Sequence, residues 1–295
     1  MTSRIVPFKQ VDVFSATPFQ GNPVAVVMDA EGLDTAQMQR IAQWTNLSET
    51  TFVLPPTQAG ADYRVRIFTP RQELPFAGHP TVGTAHAVLE CGWAREHDHM
   101  LVMECAAGVL PISVDGKGSD RMIQVRTPAA TIGDPDTMQT VAMAKALGTT
   151  LNSEPAPRAI TCGPTWIVVD LEDAATVRAL KPDMAKLIEV SRDFAAVGAA
   201  VFGRCGDDEQ EFEMVVRCFA PIDGINEDPV TGSGNAAVAN FLRVNGLVPD
   251  GPASYVASQG RELGRDGVVT VSFDREGHIS IGGHAVTIVD GTIRL

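Results

Sequence analysis

The chain has 295 residues, a formal net charge of −13 and 44 % hydrophobic residues, enough for one large or two medium domains with real cores. An acidic chain without a basic run is a poor binder of nucleic acid or anionic membrane. No apolar run approaches the ~18 residues of a membrane span, and residues 1–7 lack the apolar stretch and cleavage site of a signal peptide, so a cytoplasmic location is expected.

In chain order, residues 5–14 read as a strand, followed by the turn Ser15-Ala16-Thr17-Pro18. After Gly21-Asn22-Pro23 comes a short buried strand at 24–28. Residues 33–44 carry helix spacing at Leu33, Met38, Ile41 and Ala42, with Asp34 as N-cap. Asn46-Leu47-Ser48-Glu49 leads into a β-branched strand at 50–53, and residues 63–68 alternate as another. A Pro-rich loop then enters a small-residue helix over 81–90. Pro80 suits its first position, where a missing N–H costs nothing, and Cys91-Gly92 closes it. Gly78 and His79 are thus expected just before a helix N-terminus, where free N–H groups and the helix dipole attract an anion. A histidine there can hold an anion, move a proton, or simply cap its own helix.

Strands follow at 101–105, 109–114 and 122–125. The second half reads as helix 134–147, strand 166–169, helix 182–190, strands 199–202 and 212–219, a loop over 220–229 and helix 231–244. The tail is strand-like at 254–258, 268–273, 278–282 and 286–289.

The halves share a pattern. Arg66-Ile67-Phe68-Thr69-Pro70 resembles Arg217-Cys218-Phe219-Ala220-Pro221, and each is followed by a loop ending in an ionisable residue and a proline, His79-Pro80 and Asp228-Pro229. The residues from Pro80 to Ala87 then match those from Pro229 to Ala236, with Gly, hydroxyl, small and Ala at equal offsets. This predicts a duplicated α+β unit, each copy a sheet curled around one small-residue helix, with a ligand cleft between the copies.

Four side chains are candidates for the chemistry. Glu49 precedes a strand, where a glutamate is ordinarily a solvated residue. Asp228 and Ser233 sit where helix caps are common. Gathered in one cleft with His79, they make an acid/base site. A carboxylate takes a proton from an activated carbon and returns it elsewhere, while His79, Asp228 and Ser233 orient substrate by hydrogen bonds. Helix starts at Gly78 and Gly232 suit a substrate carboxylate, with Ser48, Pro80, Thr231 and Gly234 as flanking contacts. There is no metal-ligand spacing, no P-loop and no GxGxxG between strand and helix. Gly232-Ser233-Gly234 lacks the surroundings of a nucleophile elbow. His278, His284, Asp223 and Glu227 read as ordinary surface or loop residues. Cys91, Cys105, Cys162, Cys205 and Cys218 are an odd, scattered set expected as free thiols, most of them packing residues.

These motifs resemble the PhzF-like family of phenazine-biosynthesis isomerases, which shares the diaminopimelate-epimerase fold. The features that match are Asp12-Val13-Phe14 with Gly21-Asn22-Pro23, Asn46-Leu47-Ser48-Glu49-Thr50, the run from Phe68 to Thr81, and the run from Glu227 to Ser233, in the family's order over nearly the full length. The resemblance implies two pseudo-symmetric lobes, each a curled, mostly antiparallel sheet around a central helix. Residues 1–125 form the first and 126–283 the second, with a tail strand at about 284–295 returning to the first lobe. It further implies no metal or organic cofactor, a homodimer, and a small carboxylate substrate such as trans-2,3-dihydro-3-hydroxyanthranilate. Glu49 would move its proton, and His79, Asp228 and Ser233 would assist. Racemases of this fold pair one cysteine from each lobe, and neither loop here carries one. The alternatives are an amino-acid racemase or epimerase working without cysteines, and a non-catalytic metabolite-binding protein.

Overall fold

The computed structural model describes residues 4–135, 137–151, 154–207 and 209–295. It divides into two units, Met1–Arg126 with Gly282–Leu295, and Thr127–Ile281.

The first unit runs β1 (Ile5–Val13), β2 (Asn22–Val27), α1 (Thr35–Thr45), β3 (Thr50–Leu54), β4 (Tyr63–Phe68), β5 (Glu73–Leu74), α2 (Gly78–Glu90), β6 (Met100–Cys105), β7 (Gly108–Asp115) and β8 (Met122–Arg126). The chain's last strand, Ala285–Arg294, lies antiparallel to β1. From β1 the ladder continues antiparallel to β2, parallel to β3, antiparallel to β4, parallel to β6, and antiparallel to β7 and β8. Helix α2 packs on β1, β2, β3 and the last strand, and also on β8 at the far end of the ladder. The sheet therefore curls around it, and every α2 residue except Glu90 is buried. Small residues permit the close approach: a Cβ on Gly83 would lie 2.4 Å from Val24 Cγ1 and 2.8 Å from Val13 Cγ2. Asp34 caps α1, reciprocated by Gln37, and Met38 and Ala42 pack the outer face of the sheet against Val27, Phe52 and Phe68.

The second unit runs β9 (Thr131–Ile132), α3 (Thr137–Leu147), β10 (Arg158–Thr161), β11 (Thr165–Asp173), α4 (Ala174–Ala179), α5 (Met184–Asp193), β12 (Gly198–Arg204), β13 (Met214–Ala220), β14 (Ile225–Asp228), α6 (Gly232–Val244), β15 (Ala253–Gln259), β16 (Gly267–Phe273) and β17 (Ile279–Gly283). Its ladder repeats the first. β10–β11 is antiparallel, β11–β12 parallel, β12–β13 antiparallel, β13–β15 parallel and β15–β16 antiparallel. Helix α6 touches β10, β11 and β12 and, at the other end, β16. Helices α3 and α5 cover the outer face through Met143, Leu147, Leu187 and Val190. The fold is the expected α+β type, a curled, mostly antiparallel sheet around a central helix in each unit.

The repeated arginine has one role in both copies. Arg66 grips Glu73 of β5 through Nε and an Nη at 2.7 and 2.6 Å, and Arg217 grips Glu227 of β14 at 2.8 Å through both. Each guanidinium also lies over the phenylalanine two residues on, 5.2 Å from the Phe68 ring centroid and 5.0 Å from that of Phe219. Thus β5 and β14 are equivalent hairpin returns, and Glu227 is a structural partner rather than a solvated loop acid.

Three expectations are corrected. Helix α2 starts at Gly78 rather than residue 81, so Gly78 and His79 lie inside its first turn and Pro80 is third. The first-turn N–H groups have no intrahelical acceptor, so a proline at the third position forfeits no bond. The repeat is re-registered as a result. Both central helices have 13 residues, and their starts align Gly78 with Gly232 and His79 with Ser233, not His79 with Asp228. The loop at 220–229 also contains β14, and β5, β9, β10 and α4 went unforeseen. The helix expected over 134–147 includes residue 136, which lies outside the described residues; α3 begins at Thr137. No helix among the described residues is long and apolar enough to cross a membrane.

Candidate active site

In unit 1 the site is built by the turn before β2 and the start of α2. Buried Asp12 accepts the Gly21 N–H at 2.9 Å. A side chain on Gly21 would drive its Cβ to 2.1 Å from the Val13 carbonyl oxygen, so the turn requires glycine. This fixes the next carbonyl, that of Asn22, which meets His79 Nε2 at 2.9 Å. Phe14, held at φ 65°, sets its ring 6.3 Å from the imidazole. His79 Nδ1 then meets Glu49 Oε2 at 2.9 Å. The imidazole is 7 % exposed and the Glu49 side chain 18 %.

This geometry bears on the histidine tautomer. A carbonyl oxygen only accepts, so Nε2 carries hydrogen. Nδ1 and Oε2 then share one proton, as imidazolium against carboxylate or as imidazole against carboxylic acid. Ser48 is half-buried beside Glu49.

In unit 2, Asp228 ends β14 and accepts the Thr231 hydroxyl at 2.6 Å. It is not the N-cap of α6: that residue is Thr231, whose own side chain makes no capping bond. Gln259, at the end of β15, ties the corner together. Its Oε1 accepts the Thr231 N–H at 3.0 Å, and its Nε2 donates to the Asp228 carbonyl and the Thr231 hydroxyl at 3.0 and 2.9 Å. Asn235 donates to Gln259 and to the Thr231 carbonyl. Ser233, second in α6, accepts the Trp166 indole N–H at 3.0 Å. Gly234 sits tight on β13, where a Cβ would come 2.3 Å from Cys218 Sγ. Glu49 with His79, and Asp228 with Thr231, are thus direct pairs, while Ser233 bonds Trp166. Gln259, Asn235, Trp166 and the Asn22 carbonyl were not foreseen. The Asp12–Phe14 and Gly21–Pro23 motifs were the only sequence signal toward any of them.

The cysteines are free thiols; Cys91 is exposed, Cys205 half-buried, and Cys105, Cys162 and Cys218 buried. Burial pushes the Cys162 thiol up to about 12 and raises Cys218 as well. Among the described residues, the one group of metal-ligand composition is Asp274, Glu276 and His278 on the β16–β17 hairpin. There Asp274 accepts the Glu276 and His278 N–H groups and contacts the His278 ring, an ordinary local turn. His284 Nδ1 lies 3.1 Å from the Arg121 carbonyl.

Comparison with known proteins gives the chain its kin. The family described as phenazine biosynthesis-like protein, PhzC-PhzF, matches residues 11–291. A Schizosaccharomyces pombe protein named antisense-enhancing sequence 1 is 42 % identical, over 96 % of this chain and 97 % of its own. The trans-2,3-dihydro-3-hydroxyanthranilate isomerase of Pseudomonas chlororaphis is 34 % identical, over 97 % and 98 %. The crystal structure of the Bacillus anthracis PhzF-family phenazine biosynthesis protein superposes with a TM-score of 0.84 at 29 % identity, covering 98 % of this chain and 99 % of that one. Fold and kinship make the chain an isomerase. It belongs to the phenazine biosynthesis-like (PhzC-PhzF) family.

Proposed function

We propose that the protein is a cofactor-independent isomerase that moves a proton between two carbons of a small carboxylate-bearing cyclic or unsaturated acid, one similar to trans-2,3-dihydro-3-hydroxyanthranilate. Glu49 is the acid/base. The observation that carries this reading is the Glu49–His79 pair at 2.9 Å, with the histidine tautomer fixed by the Asn22 carbonyl. Glu49 takes the proton from the activated carbon as its carboxylate and delivers it to the second carbon as its acid. His79 holds the shared proton in the intervals, so neither step waits on solvent. The name of the 34 % identical isomerase supports the substrate class. Asp228 and Ser233 are enlisted in the same site by the sequence repeat, with Ser48, Gly78, Pro80, Thr231, Gly232 and Gly234 as substrate contacts. The proposal includes a cytoplasmic homodimer.

The test is isomerisation in D2O with trans-2,3-dihydro-3-hydroxyanthranilate and related ring acids. Wild type is expected to produce isomer carrying deuterium. Glu49→Gln, which keeps the side chain's shape and loses the proton carrier, is expected to lose about 100-fold or more in rate. Equal deuterium incorporation by both proteins removes Glu49 from the reaction.

A further inference from the structure

Ser233 occupies in α6 the position His79 occupies in α2, and its surroundings have the opposite polarity. Its hydroxyl oxygen accepts the Trp166 indole N–H at 3.0 Å. An indole N–H only donates, so this bond cannot be reversed. Trp166 is 3 % exposed and held in β11, so the donor is rigid. Ser233 itself is half-exposed, and among the described residues its hydroxyl proton has no acceptor. The Ser233 carbonyl is met from the other side by the buried Cys162 thiol at 3.5 Å. The N-cap Thr231 makes no side-chain bond to the first turn of α6, whose leading N–H groups have no intrahelical acceptor.

We infer that Trp166 is a positioning residue that fixes the Ser233 hydroxyl as a hydrogen-bond donor to a ligand carboxylate. This rests on the isomerase reading above for its substrate and deepens it. With one lone pair of its oxygen engaged by the indole, the Ser233 hydroxyl is oriented to donate its proton to an acceptor group. A hydroxyl free to rotate could turn its lone pairs outward and accept an amine or alcohol instead. The indole occupies one of those lone pairs and biases the hydroxyl toward presenting its O–H.

The test uses anthranilate, an aromatic ring bearing a carboxylate and an amine, so that it does not depend on turnover. The chain has three tryptophans, so indole-labelled protein gives three resonances, assigned by single Trp→Phe variants. The Trp166 indole signal is expected to move on anthranilate binding, and to stop responding in Ser233→Ala. Trp166→Phe keeps the ring and deletes the donor. It is expected to weaken anthranilate binding about five- to tenfold, the worth of one oriented neutral hydrogen bond, and to add nothing in the Ser233→Ala background. In turnover the same variant is expected to raise KM with kcat unchanged. A Trp166 signal indifferent to anthranilate overturns the inference. So does an equal loss of affinity from Trp166→Phe with and without the serine hydroxyl, which would show packing rather than donation. Failure of the isomerase reading has a different signature: anthranilate binds and moves Trp166, while no deuterium enters any ring acid.

Discussion

Gly234→Ala is expected to destabilise the protein, and Cys218→Ala to relieve it. Gly234 is third in α6, and the added Cβ would come 2.3 Å from Cys218 Sγ and 3.3 Å from Thr231 Cγ2, where ordinary contact is 3.4–4 Å. Cys218 is fully buried in the middle of β13 and cannot swing away. Overpacking of this kind costs about 1–3 kcal/mol. Replacing a helical glycine returns at most about 1 kcal/mol, and less in a first turn. The net loss is therefore about 1–2 kcal/mol. Cys218→Ala alone removes a buried sulfur and costs about 1–2 kcal/mol through the space it leaves. In the double variant the new methyl enters that space, so the pair is expected to be at least about 1 kcal/mol more stable than the sum of its singles. Urea denaturation of the four proteins measures the cycle. Additivity within about 0.5 kcal/mol would refute the view that the helix start carrying Ser233 is seated on Cys218.

Two further outcomes follow from buried titratable groups. His86 Nε2 contacts the Thr287 hydroxyl, which donates to Glu90, while His86 Nδ1 is buried with no hydrogen-bond partner among the described residues. Burial pushes its pKa below the ordinary 6.5, aided by Arg121 and Lys9 and opposed by Glu90, whose carboxylate stands 3.8 Å away. The unfolded chain binds the proton more readily, so stability is lost as pH falls below 6.5 toward the folded-state pKa. Glu90, held down by Lys9 and Thr287 against its own burial, acts in the same direction only below its ordinary 4.5. The urea midpoint is expected to fall between about pH 7.5 and about pH 5.5, less steeply in His86→Gln; an identical slope in both proteins would exclude His86. Iodoacetamide is expected to alkylate exposed Cys91 first and leave turnover unchanged, since Cys162 and Cys218 are buried with raised pKa values. Inactivation that persists in Cys91→Ser would point instead to a thiol base.

Long periodic elements were legible in the sequence, and short or cross-chain features were not. The alternation of Tyr63–Phe68 and the Asp34 cap of α1 were read within a residue or two. The strands β5 and β9 have two residues each and so no period to detect. Helix α4 is six residues long, below the length at which helix spacing repeats, and its Asp173 cap was its only mark. Pro80 misplaced the start of α2 because proline is tolerated anywhere in the first turn, not only at its first position. For the candidate site, local runs drew attention to Glu49, His79, Asp228 and Ser233. The residues that orient them come from distant strands. Gln259 lies 28 residues from Thr231, and Trp166 lies 67 from Ser233. A glutamine closing a strand and a tryptophan inside one carry no local signature, since each acts only once the sheet has curled around the helix.

The corrected register bears on which isomerisation this scaffold suits. Epimerisation by two bases needs a proton carrier at equivalent positions of both copies, one to remove the proton and one to supply another from the opposite face. The second position of α2 meets that need, because His79 is held between a carbonyl acceptor and a carboxylate and shares a proton with Glu49. The second position of α6 does not. Ser233 carries a hydroxyl that does not ionise near neutral pH, and the indole bonded to its oxygen only donates. At this helix position the first unit carries an ionisable side chain and the second a hydroxyl, while the second unit's carboxylate, Asp228, lies ahead of the helix at the end of β14. Under the proposed reading, a single group must both take the proton and return it. A lone carboxylate returns a proton to the face from which it came, so the productive outcome is delivery to a different carbon of a conjugated acid rather than inversion at the original one. Under that reading, the difference between His79 and Ser233 favours proton relocation over epimerisation on a duplicated fold.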